Sequence, residues 1–395
     1  MSKILISAID IRPDKIICLI AQELQIVNQG NILQLIGSGI SRFPLDCTDP
    51  FSLDKERFLE HLSEAIKKSE KEASIKVKDV YINVADSVHS TYLDHFTKIG
   101  NILIKEEHIK SYFKDNDFKK LYSENNTPLH SFPISFRINN SKSVSDPIDL
   151  KAESLTTRWH NIISKNEEIK RIYDYFEDID IHVKQMVLSN YASSLSVLNE
   201  MESSLGAVSI DIGKTKTFIS FTLDNQLIYF ETISLGTFNF TKDLSNVLSI
   251  DIDKAEQIRK KMDKIDVSKQ IDKNEIASFR IYESRAEEFI NLVAYKIKNA
   301  KYYALVDSNI IYTGYGSKSL LLNKIIKKKF EMSNCRLGSS LRINGSKLIT
   351  ENPSMSSAFG LLSYAINHEI EIDENAEHLK KKSIFSVIYE FFKAI

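Results

Sequence analysis

The sequence predicts an α/β protein of two related domains, interrupted by an α+β insert and followed by an amphipathic helix. Three observations lead there. Two stretches repeat one pattern, ISAIDIRPDKIICLI from Ile6 and AVSIDIGKTKTFISF from Ala207: an apolar strand into Asp-Ile, a short polar turn with lysine, and a second apolar strand. Asp10 and Asp211 stand 201 residues apart, the length of a full α/β domain. Between the copies, residues 86–165 turn polar and rich in Asn and Ser, and the final HLKKKSIFSVIYEFFKAI is unlike anything before it.

The bulk properties narrow the function classes. A chain of 395 residues has room for two domains, and 43% hydrophobic with 27% charged residues is ordinary for a globular protein. A net charge of −1 argues against bulk nucleic-acid binding. Cys18, Cys47 and Cys335 are far apart and lack histidines at ligand spacing, which disfavours a disulfide framework or a zinc site and suits a reducing cytoplasm. MSKILISAIDIRPDK is interrupted too early by Asp10 and Arg12 to act as a signal peptide. No run of about 18 apolar residues occurs to span a membrane.

In chain order, ILQLIGSGISRF extends the first hairpin as a strand, and KERFLEHLSEAIKKSEKEA spaces Phe58, Leu59, Leu62, Ala65 and Ile66 helically. KVKDVYINVA reads as a buried strand. The insert holds the strand-like SFPISFRI and DLKAESLTTRWHNII, where Trp159 and His160 are expected to serve strand packing. MVLSNYASSLSVLNE reads as a helix leading into the second hairpin. AEQIRKKMDKI and ESRAEEFINLVAYKIKNAKYYAL are helical, NIIYTGYGSK is a strand into a glycine turn, and PSMSSAFGLLSYAI closes the body; IIKKKFEM is expected to be a solvated helix face. The expected boundaries are 1–85 with 166–204 for the first domain, 86–165 for the insert, 205–367 for the second domain, 368–379 for a flexible acidic linker and 380–395 for the terminal helix.

The hairpins carry the chemistry. A strand–turn–strand whose turn exposes N–H groups can wrap a phosphate, and an Asp before the turn can hold hydrated Mg²⁺. An Asp ending a strand is also a common turn former, so the force of the pattern lies in its duplication. Two glycines in TGYGSK would let backbone approach a base; a plain strand-to-helix turn explains them as well.

In their order along the chain these pieces resemble the actin-like ATPases, and among them the FtsA family. The resemblance covers almost the whole chain and implies an actin-like (ribonuclease-H-like) two-domain fold with an FtsA-type insert. By resemblance, the nucleotide-binding residues are Asp10, Arg12 and Lys15 in the first loop, Asp211, Gly213, Lys214 and Thr215 in the second, Glu256 and Arg259 in AEQIR, and Gly314 and Gly316 in the adenosine turn. ATP and Mg²⁺ are the implied cofactors, with Asp10 and Asp211 holding the metal through water. The departures are as informative. Arg12 and Pro13 stand where the family has a glycine and a small residue, only Gly213 survives of the second loop's glycines, and Tyr315 replaces a glycine that would face the base. Proline offers no N–H, so the clamp is expected to be loosened unless the Arg12 guanidinium reaches phosphate, with hydrolysis weak at most.

The terminal segment is read from its own pattern. At ~100° per residue, Ile384, Phe385, Val387, Ile388, Phe391, Phe392 and Ile395 share one half of a helix, while Ser386, Glu390 and Lys393 share the other. Lys380, Lys381 and Lys382 precede it, as binding to an anionic bilayer requires. The FtsA resemblance implies an adaptor that anchors FtsZ filaments at the division site, on the cytoplasmic face of the membrane, and assembles with itself. Its implied partners are the FtsZ C-terminal peptide, held near Arg285 and Glu288, and other division proteins. Without the resemblance, Arg285 and Glu288 read as a local i, i+3 ion pair. The competing class is a cytosolic actin-fold ATPase or small-molecule kinase, for which a lipid-binding tail has no use.

Overall fold

The opening hairpin is β1 (Leu5–Arg12) with β2 (Lys15–Ile26), and β3 (Gly30–Arg42) pairs beside it. These elements belong to a computed structural model that describes residues 4–26, 30–123, 125–141, 143–266, 271–306, 308–340 and 343–377. Helix α1 (Lys55–Ala73) follows, its first turn capped by the Asp54 carboxylate, which accepts from the Arg57 N–H. Its apolar side, Phe58, Leu62, Ala65 and Ile66, packs with Ile16, Cys18 and Ile20 of β2. β4 (Asp79–Val84) then runs parallel to β1.

The insert comprises β5 (Val88–Leu103), α2 (Glu106–Lys110), α3 (Asn116–Lys119), β6 (Asn126–Ile138), β7 (Ser143–Val144) and β8 (Lys151–Lys165). The strands form their own sheet in the order β5-β8-β6-β7. Trp159 stacks on Tyr112 with ring centroids 4.4 Å apart, and the neighbouring His160 ring nitrogen Nδ1 lies 2.7 Å from the Leu227 carbonyl. Both residues therefore do pack within the strand, and His160 also ties the insert to the second lobe.

The chain returns through α4 (Asn166–Glu177) and β9 (His182–Leu188), then α5 (Ser189–Val197) and α6 (Glu200–Leu205). The second lobe is β10 (Ala207–Ile212), β11 (Thr217–Leu223), β12 (Gln226–Ile233), α7 (Thr237–Leu248), α8 (Ile252–Met262), α9 (Ile276–Lys298), β13 (Asn309–Thr313), α10 (Leu320–Lys329) and β14 (Asn334–Leu337). Last come β15 (Ile343–Asn344), α11 (Lys347–Thr350) and α12 (Ser356–Glu377).

The sequence repeat is a topological repeat. The first sheet has the order β15-β3-β2-β1-β4-β9 and the second β12-β11-β10-β13-β14. In each, the Asp-bearing strand is antiparallel to its hairpin partner and parallel to the next strand inward. Each therefore ends its Asp-Ile at the same edge of its sheet, which aims the two turns at one another.

The expected boundary at 205–367 needs correction. β15 pairs with β3, and Phe359, Leu361, Leu362 and Ala365 of α12 pack on Ile6, Ala8, Ile17 and Leu19 of the first sheet. The reason is burial on both faces: α1 covers one side of the hairpin, and the apolar side chains on the other side need a cover of their own. Helix α12 also continues through residues 368–377, where the sequence suggested a linker. Its contact with α5 is close. A Cβ built on Gly360 would lie 1.6 Å from the Ala192 carbonyl oxygen, a backbone atom that cannot swing away. Gly360→Ala is therefore expected to cost about 3 kcal/mol, read as a fall in the urea midpoint. Gly100→Ala, where φ is +80° and nothing stands within 4 Å, should cost about 1 kcal/mol from backbone strain alone.

Candidate functional site

The two turns face one cavity of about 310 Å³, lined by Asp10, Arg12, Lys15, Asp211, Gly213, Lys214 and Thr215, with Glu256 and Tyr315 at its far end. The structure thus brings together the candidates from both loops, and places Arg259, Gly314 and Gly316 behind that lining.

The turns themselves differ. Arg12 pairs directly with Lys15, so only Pro13 and Asp14 form the first turn. Proline contributes no donor, and the Asp14 carbonyl is taken by the Phe43 N–H at 3.0 Å. The two-residue turn therefore has one backbone donor fewer to offer a phosphate than a turn without proline. In the second copy Ile212 pairs with Thr217, leaving a four-residue turn, Gly213–Lys216, closed by the Gly213 N–H donating to the Lys216 carbonyl at 2.9 Å. The Gly213 and Lys214 carbonyls accept from Thr237 and Phe238 at 3.0 and 2.8 Å. The first amides of α7, which could otherwise seat an anion, are thereby occupied by the turn.

Asp10 is wholly buried, and Arg12 turns back onto it, Nε lying 2.5 Å from Oδ2. Both side chains lie on one face of β1 because they are two residues apart on a strand. Arg12 Nη1 donates to the Ser354 carbonyl at 2.7 Å, and Ser357 Oγ donates to Asp10 Oδ1 at 3.2 Å. Burial pushes the Asp10 carboxyl above its ordinary value; Arg12 opposes that rise and Asp211 adds to it. Burial also works against the charge on Arg12, but Asp10 and Asp211 outweigh it and hold the guanidinium cationic. Asp211 Oδ2 accepts from Ser193 Oγ at 2.7 Å and Ser356 Oγ at 2.9 Å. Asn83 fixes the first strand end, accepting from the Ile11 N–H at 2.7 Å and donating to its carbonyl at 3.0 Å.

The lysines of the second turn reach across the cavity. Lys214 Nζ donates to the Cys47 carbonyl at 2.8 Å, and Lys216 pairs with Asp86. Burial pushes both ammonium groups, and that of Lys15, below the usual lysine value. Thr215 Oγ1 is buried with no hydrogen-bond partner among the described residues.

At the far end Gly314 has φ +86°, and a Cβ there would sit 2.1 Å from Asp211 Oδ1, so the position admits only glycine. Gly316 abuts the Ile212 side chain. Glu256 and Arg259 were expected near adenosine, but Arg259 is 1% exposed and held inside a cluster. It lies 2.6 Å from Glu256 and 2.5 Å from Asp263, donates to the Tyr315 hydroxyl at 3.1 Å, and stacks 5.2 Å from that ring's centroid. Each of its three nitrogens donates inward, so it packs Tyr315.

Mg²⁺ does not fit these donors. One Asp10 oxygen is covered by a guanidinium and the other by Ser357, while two hydroxyls converge on Asp211 Oδ2. No cluster of three metal-ligating side chains occurs among the described residues. The corrected view of the metal pair is that Asp10 and Asp211 organise the strand ends.

Sequence reasoning missed Asn83, Ser193, Ser356, Ser357, the Cys47 carbonyl and Asp86. The Ser-Met-Ser-Ser run at 354–357 was the visible clue, since hydroxyls at a helix start satisfy nearby polar groups. Nothing local marked Asp86.

Arg285 and Glu288 lie on α9, 3.0 Å apart, with Arg285 also bound to Asp243 of α7; the Glu288 side chain is 71% exposed. The membrane candidates, Lys380 through Ile395, lie outside the described residues.

Comparison with known proteins places this architecture. Residues 208–360 match the family model described as "Cell division protein FtsA". The chain is 28% identical to the cell division protein FtsA of Buchnera aphidicola subsp. Acyrthosiphon pisum, over 84% of this chain and 85% of that protein. With FtsA of Escherichia coli K12 the identity is 23%, over 81% and 83%. The chain is thus similar to FtsA proteins over most of its length. Its match to the family model begins within the second hairpin, so the Arg12-Pro13 hairpin lies outside it. Among solved structures, this chain superimposes on a chain of the PilM-PilN type IV pilus biogenesis complex with a TM-score of 0.60 at 12% identity, covering 91% of this chain and 98% of that one. On MreB5 of Spiroplasma citri the TM-score is 0.52 at 10% identity, over 94% and 99%. These likenesses establish the actin-like fold.

Proposed function

We propose that this chain is a cell-division adaptor: it holds FtsZ filaments at the cytoplasmic face of the membrane through residues 380–395, and it assembles with copies of itself. The observation that carries the reading is an alignment with FtsA of Buchnera aphidicola subsp. Schizaphis graminum over 99% of this chain and 96% of that protein, at 25% identity. Such coverage takes in the lysine-fronted apolar end as well as the two lobes. Arg285 and Glu288 stand on one side of a long helix, where the family resemblance implies a seat for the FtsZ C-terminal tail; the Glu288 side chain is 71% exposed, while Arg285 is held by Asp243 and Glu288. Other division proteins would meet the same membrane-held body. The alternative, a cytosolic ATPase or kinase, finds less support in a cleft whose carboxylates are already paired with an internal arginine and serines.

The adaptor reading is tested by carriage. A fluorescent FtsZ C-terminal peptide is expected to rise with anionic vesicles when the full chain is present and to stay below without it. A chain that floats while leaving the peptide behind would overturn the reading.

A further inference from the structure

We infer that this cleft operates without a divalent cation: Arg12 is built in as the counter-ion of Asp10, and the chain's own side chains bridge the lobes. The inference stands on the hairpin geometry and does not rest on the adaptor reading.

Three observations support it. First, the place nearest Asp10 where a cation would gain most is filled. The Arg12 guanidinium contacts Oδ2 at 2.5 Å and is anchored a second time at the Ser354 carbonyl, with only 14% of its side chain exposed. A dication approaching Asp10 would have to displace a buried cation that has no other acid within contact. Second, the cavity wall has no net charge to attract a dication, since six acidic and six basic side chains line it. Third, the bridging that a metal-bound polyphosphate gives a two-lobed clamp is supplied internally. Lys214 reaches the Cys47 carbonyl and Lys216 reaches Asp86, both from the second turn to the first lobe's side. Arg12 adds a link through residues 353–354, because the neighbouring Pro353 carbonyl accepts from the Gly314 N–H at 3.1 Å in the second lobe. The same arginine that neutralises the strand end thus helps to hold the lobes together.

The test uses Mn²⁺ alone as the probe, with the full chain, counting bound ions by the loss of the free-ion electron paramagnetic resonance signal. Weak acidic surface sites are common to every variant and cancel. The native chain and Asp10→Asn are expected to bind the same number of ions, Arg12→Lys likewise, and Arg12→Gly one equivalent more. One equivalent more in the native chain than in Asp10→Asn would overturn the inference, as would an Arg12→Gly protein of native circular dichroism that gains none. Should Arg12→Gly not fold, the native chain against Asp10→Asn decides alone.

Discussion

Without residues 380–395 the chain is expected to remain at the bottom of a liposome flotation gradient, while the full chain rises with anionic vesicles. The effect is large because the segment concentrates its apolar surface. Seven side chains, Ile384, Phe385, Val387, Ile388, Phe391, Phe392 and Ile395, fall on one half of a helical projection of the sequence. Burying half of each gives about 5–10 kcal/mol before ordering costs. Lys380, Lys381 and Lys382 add about 1 kcal/mol each beside an anionic surface. The two contributions separate experimentally. Raising the salt to 1 M shrinks the screening length to about 3 Å and should weaken attachment without abolishing it. Neutral vesicles should likewise carry less protein. Equal flotation of the truncated chain would refute the tether, since no described helix is long and apolar enough to cross a membrane in its place.

Arg259→Met is the second large expectation. Arg259 is the counter-ion of Glu256 and Asp263 at 2.6 and 2.5 Å, and Met keeps much of its volume without its charge. Breaking such a buried cluster by removing one partner costs about 3–5 kcal/mol. The pH dependence has a definite sign. In the native protein burial already raises the Asp263 carboxyl, with Arg259 opposing the rise. Against burial, Arg259 holds Glu256 below its ordinary value. Without the arginine both carboxyls rise, so folding takes up protons that the unfolded chain has released. The deficit is therefore greatest at neutral pH and shrinks as pH falls toward the ordinary carboxylate range. Urea midpoints at pH 7 and pH 5 measure it, and a deficit that grows on acidification would contradict the assignment. Adding Glu256→Gln and Asp263→Asn should recover part of the loss.

Much of this architecture was readable because the signals were local. The quoted KERFLEHLSEAIKKSEKEA coincides with α1 from Lys55 to Ala73, where helical spacing of apolar residues follows an Asp cap. The duplicated Asp-Ile strands became two sheets of matching order. The missed features depend on distant partners. β15 has two residues and pairs with a strand three hundred positions earlier, so no window of sequence holds its signal. Helix α12 is apolar in a way that suits either sheet, and only the uncovered face of β1 and β2 decides which it joins. At the site, the resemblance showed that Arg12 departs from a glycine, but the sequence reading left it in the turn, whereas β1 runs on through Arg12 and sets it on the face of Asp10. What the sequence did not show was the Ser354 carbonyl, which draws the guanidinium into place from the other end of the chain. Arg259 is similar: its i−3 and i+4 acids were in view within AEQIRKKMDKI, yet the stacking on Tyr315 needed the fold.

The cover that α12 lays on the first sheet also bears on the order of events at the ribosome. Residues 207–337 contain every strand of the second sheet, so that lobe can close soon after it is made. The sheet begun by Leu5 lacks β15 and one whole apolar cover until residue 366 has emerged, and its hairpin must wait with Ile6, Ala8, Ile17 and Leu19 unprotected. Contacts of such long sequence separation form late and expose nascent chains to aggregation. The half of the protein translated first is thus the half completed last.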